Sequence, residues 1–173
     1  ITINTENTTY QMQVDRYNVL LHLYYGKKSI GCMDFLMTYA DRGTMSNVYD
    51  AAANREYSYD ALPQEYPVCG MGDMRAPALV VENPDGSLAV DLRYVRHEIR
   101  KGKYSLKGLP AVYANEEEAE SLSVILRDQV SGVEAELLYG VLPAIDVITR
   151  SVIIRNTGNE SVLLKRVLSA NLD

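Results

Sequence analysis

An all-β chain folded as a packed antiparallel sandwich is predicted by three features of the sequence. Apolar and polar residues alternate with period two along 88–94 and 133–141, turn-forming clusters interrupt the second half at short intervals, and no stretch carries a convincing amphipathic helical period. The 173 residues, 47% apolar and 23% charged, fit a single globular domain over 1–173.

The strands follow in order. Residues 1–25 read as two or three strands, including 10–14 and 19–25. Asn83-Pro84-Asp85-Gly86 between 78–82 and 88–94 has the composition of a hairpin turn. Asp128-Gln129-Val130-Ser131-Gly132 separates 122–127 from 133–141, and Asn156-Thr157-Gly158-Asn159 separates 147–155 from 161–172. Along 133–141, Val133, Ala135, Leu137, Tyr139 and Val141 share one face, and Glu134 and Glu136 begin the other. In the same way Leu88, Val90, Leu92 and Tyr94 lie opposite Asp91 and Arg93. Such half-buried strands belong to antiparallel sheets with one face on a core, whereas Val152-Ile153-Ile154 suggests a strand covered on both faces. Leu122, Val124, Leu126, Val133, Leu137, Val152 and Ile154 are the expected core. The run Glu116-Glu117-Glu118-Ala119-Glu120 reads as a solvated lead into the next strand.

Between residues 26 and 77 the alternation stops. This long irregular segment holds Tyr39, Tyr49, Tyr57, Tyr59 and Tyr66 among Asp, Arg and Asn, which is too aromatic for simple disorder and marks it as the place to seek a function. Asp41-Arg42 and Asn54-Arg55, with Tyr39, Tyr57 and Tyr59 nearby, are residue types suited to a sugar. Charged groups bond hydroxyls strongly, and an aromatic ring covers the C–H side of a pyranose. An Asp–Arg pair that braces the loop is the competing reading. Asp60, Glu65 and Asp73 are candidate carboxylates for glycoside hydrolysis, but nothing in their spacing fixes the separation on which mechanism depends, so no acid or base is assigned.

Other function classes lose their key residues. Seventeen Lys and Arg against 23 Asp and Glu give a net charge of −6, the wrong sign for phosphate neutralisation, so no nucleic-acid partner is expected. Apolar runs fall far short of a membrane span. His22 and His97 stand far apart, outside any metal-ligand spacing, and read as ordinary strand histidines. For the same reason they do not offer the His and carboxylate on one concave face that a mutarotase-like enzyme would need. Cys32 and Cys69 allow at most one bridge, and a reduced, cytoplasmic chain is expected. No serine-hydrolase elbow, phosphate loop, dinucleotide fingerprint or paired CxxC is present, and neither a cofactor nor a metal is expected. The strand-like stretch 163–173 has no closing turn, and the expectation is that the natural protein continues.

Seven short motifs follow one another in a familiar order: Leu23-Tyr24-Tyr25-Gly26-Lys27, Ala40-Asp41-Arg42, Leu62-Pro63-Gln64-Glu65-Tyr66-Pro67, Gly72-Asp73-Met74-Arg75-Ala76-Pro77, Asp91-Leu92-Arg93-Tyr94, Lys107-Gly108-Leu109-Pro110-Ala111 and Asp146-Val147-Ile148-Thr149-Arg150-Ser151. From about residue 10 to 173 the sequence resembles the N-terminal domain of family 36 glycoside hydrolases, the bacterial α-galactosidases. The resemblance implies an antiparallel β-supersandwich of the galactose-mutarotase-like type. It implies a (β/α)8 barrel downstream that carries two catalytic aspartates, followed by a small β-domain, and retaining hydrolysis of terminal α-linked galactose. The isolated chain is then expected to be inactive, with no catalytic residue of its own.

The resemblance further implies that a loop of this domain reaches an active site, in tetrameric members that of a neighbouring subunit. The matching positions are Asp41 and Arg55, as substrate-binding residues. The implied partners are a galactoside, the chain's own catalytic barrel and further copies in a homo-oligomer. The sequence departs from the family at Ser46-Asn47-Val48-Tyr49, where Ser-Pro-Asn-Pro is common, and at Tyr25, where Trp is frequent. A galactoside-binding module that acts alone, as a lectin does, and a purely structural β-domain are the alternatives.

Overall fold

The computed structural model describes residues 1–39, 51 and 54–171. Nine strands make three antiparallel sheets, and the only helical pieces among these residues are short 3-10 turns. β1 (Thr2–Asn4), β2 (Thr8–Val14) and β3 (Leu20–Lys27) form the first sheet in that order. β4 (Leu79–Glu82) pairs with β9 (Leu163–Val167), and β5 (Arg93–Lys101), β6 (Glu120–Arg127), β7 (Val133–Leu142) and β8 (Val147–Asn156) form the third sheet.

The period-two pattern sets the layers. In β7 the face with Val133, Ala135, Leu137, Tyr139 and Val141 is 0–6% exposed and meets Leu122, Val124 and Leu126 of β6. Tyr10, Met12 and Leu20 from the first sheet, together with Leu79 and Val81 of β4, close over that face and complete the sandwich core. The opposite face of the third sheet is a charged ladder. Glu134 bonds Arg127 directly across on β6 at 3.0 Å, and Glu136 bonds Arg155 of β8 at 2.6 Å. A smaller cluster of Val19, Leu21, Ala51, Tyr57, Tyr59 and Leu62 packs under the irregular segment.

Two expectations change. The turn at Asn83-Pro84-Asp85-Gly86 forms, with Gly86 N–H donating to Asn83 O at 2.9 Å and Gly86 at φ +82°, but no hairpin follows it. Residues 88–92 cross from one sheet to another, burying Val90 and Leu92, while β4 takes β9 as its partner. The strand begins at Arg93 and runs on through Lys101 as a charged sheet edge, which the apolar pattern could not reveal. The second change concerns Val152-Ile153-Ile154. Because β8 is the other edge of its sheet, these residues are half-buried on both faces, with Val152 and Ile154 resting on the core margin. The other five expected core residues are 0–3% exposed.

The remaining turns hold as read. Asp128 caps the β6–β7 turn, its carboxylate accepting from Val130 N–H at 3.1 Å and the Ser131 hydroxyl at 2.6 Å. Asn156-Thr157-Gly158-Asn159 ends β8, and Glu116-Glu117-Glu118 is an exposed turn before β6. Residues 28–39 and 54–77 hold no named strand, only the 3-10 turn Asp34–Leu36 and the isolated bridges Leu21↔Gln64 and Val68↔Leu79.

Candidate functional site

Asp41 lies outside the described residues. Arg55 is exposed, on the irregular stretch that enters the smaller apolar cluster at Tyr57. Two buried tyrosines fix that stretch to the sandwich. The Tyr57 hydroxyl donates to Asp15 Oδ2, while Asp15 Oδ1 accepts from Tyr17 N–H at 2.8 Å and Val19 N–H at 2.9 Å. The Tyr59 hydroxyl donates to Asp91 Oδ1 at 2.8 Å. Asp91 is gripped by both Arg93 Nε and Nη2, at 2.8 and 2.7 Å, and Arg93 Nη1 reaches Tyr17 O at 2.6 Å. Burial, reinforced by the carboxylate each hydroxyl faces, pushes both phenols far above their ordinary range. They are permanent donors, and neither ring is open to a sugar. Of Tyr39, Tyr57 and Tyr59, it is Tyr39 that shows substantial surface, at 45%.

The candidate carboxylates do not assemble into a hydrolytic pair. Asp73 is committed to Arg75, through Nε at 2.9 Å and Nη2 at 2.7 Å, and to Gln64 Nε2 at 2.8 Å. Arg75 Nη2 also donates to Tyr59 O and Leu62 O at 2.8 and 2.6 Å, which braces the loop from below. Asp60 accepts from the Ser58 hydroxyl.

Glu65 is 1% exposed and sits in a closed network. Tyr10 donates to both of its oxygens at 2.7 and 2.8 Å, Tyr139 donates at 2.6 Å, Arg150 Nη1 lies at 2.6 Å and His22 Nδ1 at 3.3 Å. Burial alone would raise its pKa. The His22 bond, the Arg150 charge and the two phenols overrule burial and hold the carboxyl below its ordinary value. His22 therefore does meet a carboxylate, but one with no room for a substrate. His97 bonds the Tyr94 hydroxyl at 2.7 Å on the edge strand β5.

The sequence reading missed this network, although Glu65 and Arg150 both lie in motifs that carried the family resemblance. Asp146, from the same motif as Arg150, holds the β7–β8 corner at φ +55° and accepts from Thr5 Oγ1, Asn7 N–H and Asn7 Nδ2, each at 2.7 Å. Those bonds hold its carboxyl below the ordinary range. Cys32 and Cys69 are both free thiols. Among the described residues, no group of three or more His, Cys, Asp or Glu is placed to hold a metal ion, and no helix is long and apolar enough to cross a membrane.

The described residues form an all-β sandwich that braces an Arg-bearing loop. The comparisons give it a family. Residues 18–173 match the glycosyl hydrolase family 36 N-terminal domain, and the chain belongs to that family. It is 53% identical over 172 residues to the bifunctional α-galactosidase/sucrose kinase AgaSK of Mediterraneibacter gnavus, covering 99% of this chain and 18% of that protein. It is 41% identical to the α-galactosidase AgaA of Geobacillus stearothermophilus, covering 95% of this chain and 23% of that one. The solved galactosidase domain of AgaSK superimposes with a TM-score of 0.95 over 98% of this chain and 24% of that chain. An AgaA variant solved in complex with raffinose gives a TM-score of 0.92 at 40% identity, over 98% of this chain and 24% of that one. The chain thus spans about a fifth to a quarter of these relatives.

Proposed function

We propose that the chain is the accessory N-terminal part of a retaining α-galactosidase, supplying a loop of the substrate pocket and contacts between subunits. In this reading Asp41 and Arg55 bind the galactoside, and a downstream barrel carries the nucleophile and the acid/base. The observation that supports it best is the construction around Arg55. Arg55 is an exposed residue set two positions before a tyrosine that is 0% exposed and tied to Asp15, so the backbone that carries it is anchored to the sandwich although it lies on a loop. A guanidinium presents several donors in a rigid fork, which suits the hydroxyls of a sugar.

The full-length parent is then a galactosidase of the reduced cytoplasm, active as a homo-oligomer on oligosaccharides such as the raffinose held by the AgaA variant. The test is to assay the parent and the 173-residue chain side by side on raffinose, following the anomer released by proton NMR. Release of α-galactose first by the parent, with no turnover by the chain, is the expected result. Turnover by the purified chain, or initial release of the β-anomer by the parent, would overturn it.

A further inference from the structure

Beside the Arg55 stretch, an open cleft of about 380 Å3 is bordered by Gln13, Asp15, Arg16, Tyr39, Asn54 and Glu56. Its size lies within the range of small-molecule sites, about 300–1,000 Å3. Three features of its lining bear on what it can hold. The Tyr39 ring stacks on the buried Tyr57 ring, with centroids 6.1 Å apart and planes inclined by 23°, yet it remains 45% exposed. It is a held platform with surface to offer.

Arg16 and Glu56 border the same cleft with opposite charges. Arg16 lies over the Tyr17 ring at 4.8 Å, and among the described residues neither side chain has a hydrogen-bonded or ion-pair partner. Gln13 Oε1 is buried without a donor. Asp15 offers no open site, since both of its oxygens are engaged by Tyr17, Val19 and Tyr57.

The cleft therefore combines a cationic donor, an anionic acceptor and an aromatic face. An anion would meet Glu56, and a cation would meet Arg16. A neutral ligand rich in hydroxyls satisfies both, since each hydroxyl donates one hydrogen and accepts others, and the C–H face of a pyranose covers a tyrosine ring. We infer that this cleft is an outer sugar subsite, which takes a hexose unit of the oligosaccharide other than the galactose being released. The inference rests on the reading that the Arg55 region meets substrate, and it adds a dependence on substrate length.

The test compares kcat/KM of the full-length parent for stachyose, a tetrasaccharide, with kcat/KM for 4-nitrophenyl α-galactoside, which has no further sugar. Tyr39→Ala, Arg16→Ala and Glu56→Gln are each expected to lower the stachyose-to-nitrophenyl ratio on the order of tenfold, the scale of one lost charge-assisted bond or ring contact. Tyr39→Phe keeps the platform and is expected to keep the ratio. Arg16 and Glu56 are surface side chains whose replacement leaves the fold intact, so the answer does not depend on how Tyr39→Ala folds. Ratios within about twofold of the parent for Arg16→Ala and Glu56→Gln would overturn the subsite. Arg55→Ala separates the two readings, since it should lower kcat/KM on both substrates. If it does so while the cleft variants keep the ratio, only the subsite falls. If it changes neither substrate while the cleft variants lower the ratio, the assignment of Arg55 falls instead.

Discussion

Replacing Glu65 by Gln strikes a buried carboxylate that four side chains hold, Tyr10, His22, Tyr139 and Arg150. Glu65 is 1% and Arg150 12% exposed, and their 2.6 Å ion pair joins the loop at 65 to strand β8. Gln keeps one acceptor oxygen, but its NH2 confronts the Tyr10 hydroxyl, which now donates to both carboxylate oxygens at 2.7 and 2.8 Å. The Arg150 charge is left without a counter-charge. Removing one partner of a buried pair costs about 3–5 kcal/mol. The lower end applies, because the Arg150 guanidinium also stacks over the Tyr139 ring at 4.1 Å. At about 3 kcal/mol, and about 2–4 °C per kcal/mol for a chain of this size, Tm of the purified chain should fall by about 6–12 °C near neutral pH.

The pH dependence has a definite sign. The folded pKa of Glu65 is depressed, so its contribution is complete above the ordinary carboxylate value of 4.5 and is lost as pH falls through the folded value. The gap in Tm between parent and variant should therefore hold from neutral pH down to about pH 4.5 and narrow on further acidification. The double variant Glu65→Gln/Arg150→Met removes the orphaned charge and should lose less than Glu65→Gln alone. Thermal melts followed by circular dichroism measure all of this. A Tm for Glu65→Gln within about 2 °C of the parent at neutral pH, or a gap that widens in acid, would refute the reasoning.

Three further outcomes are expected. Tyr57→Phe leaves Asp15 Oδ2 without its hydroxyl donor at a site 8% exposed and should cost about 1–3 kcal/mol in chemical denaturation, with near-parental stability as the contrary result. Gly70→Ala should destabilise by at least about 1 kcal/mol, because Gly70 sits at φ +89° and an added Cβ would stand 2.5 Å from Ala89 Cα; an unchanged denaturation midpoint would show that the backbone yields there freely. The purified chain should not turn over 4-nitrophenyl α-galactoside, since the Glu65 carboxylate is saturated and Asp73 is bound to Arg75, and turnover surviving rigorous purification would contradict that.

The sandwich was legible because the apolar residues of β7 recur at every second position from Val133 to Val141 and those five side chains, 0–6% exposed, face the core. Strand partners were less so. Residues 78–82 and 88–94 flank a sound turn, yet the choice between a hairpin and a sheet switch rests on Val90 and Leu92 reaching the core between sheets, a tertiary effect absent from local pattern. The edge strand β5 reads as charged loop, since neither face is well buried. In the candidate site, residue types pointed to the 26–77 segment but could not sort its tyrosines into anchors and platform. Tyr57 and Tyr59 are anchors because Asp15 and Asp91, distant in sequence, stand where their hydroxyls arrive. The partners of Glu65 come from four strands, and no spacing in one sequence announces such a meeting.

The claim that this domain serves the substrate pocket is tested most directly by Asp41→Ala and Arg55→Ala in the full-length parent, with Tm and kcat/KM for an α-galactoside measured on the same preparations. Loss of one charge-assisted hydrogen bond to bound sugar corresponds to about 1.5–3 kcal/mol, so kcat/KM should fall roughly 10- to 150-fold while Tm stays at the parental value. A lowered Tm with kcat/KM per folded molecule untouched would show that the two residues only brace the loop, and would contradict the claim.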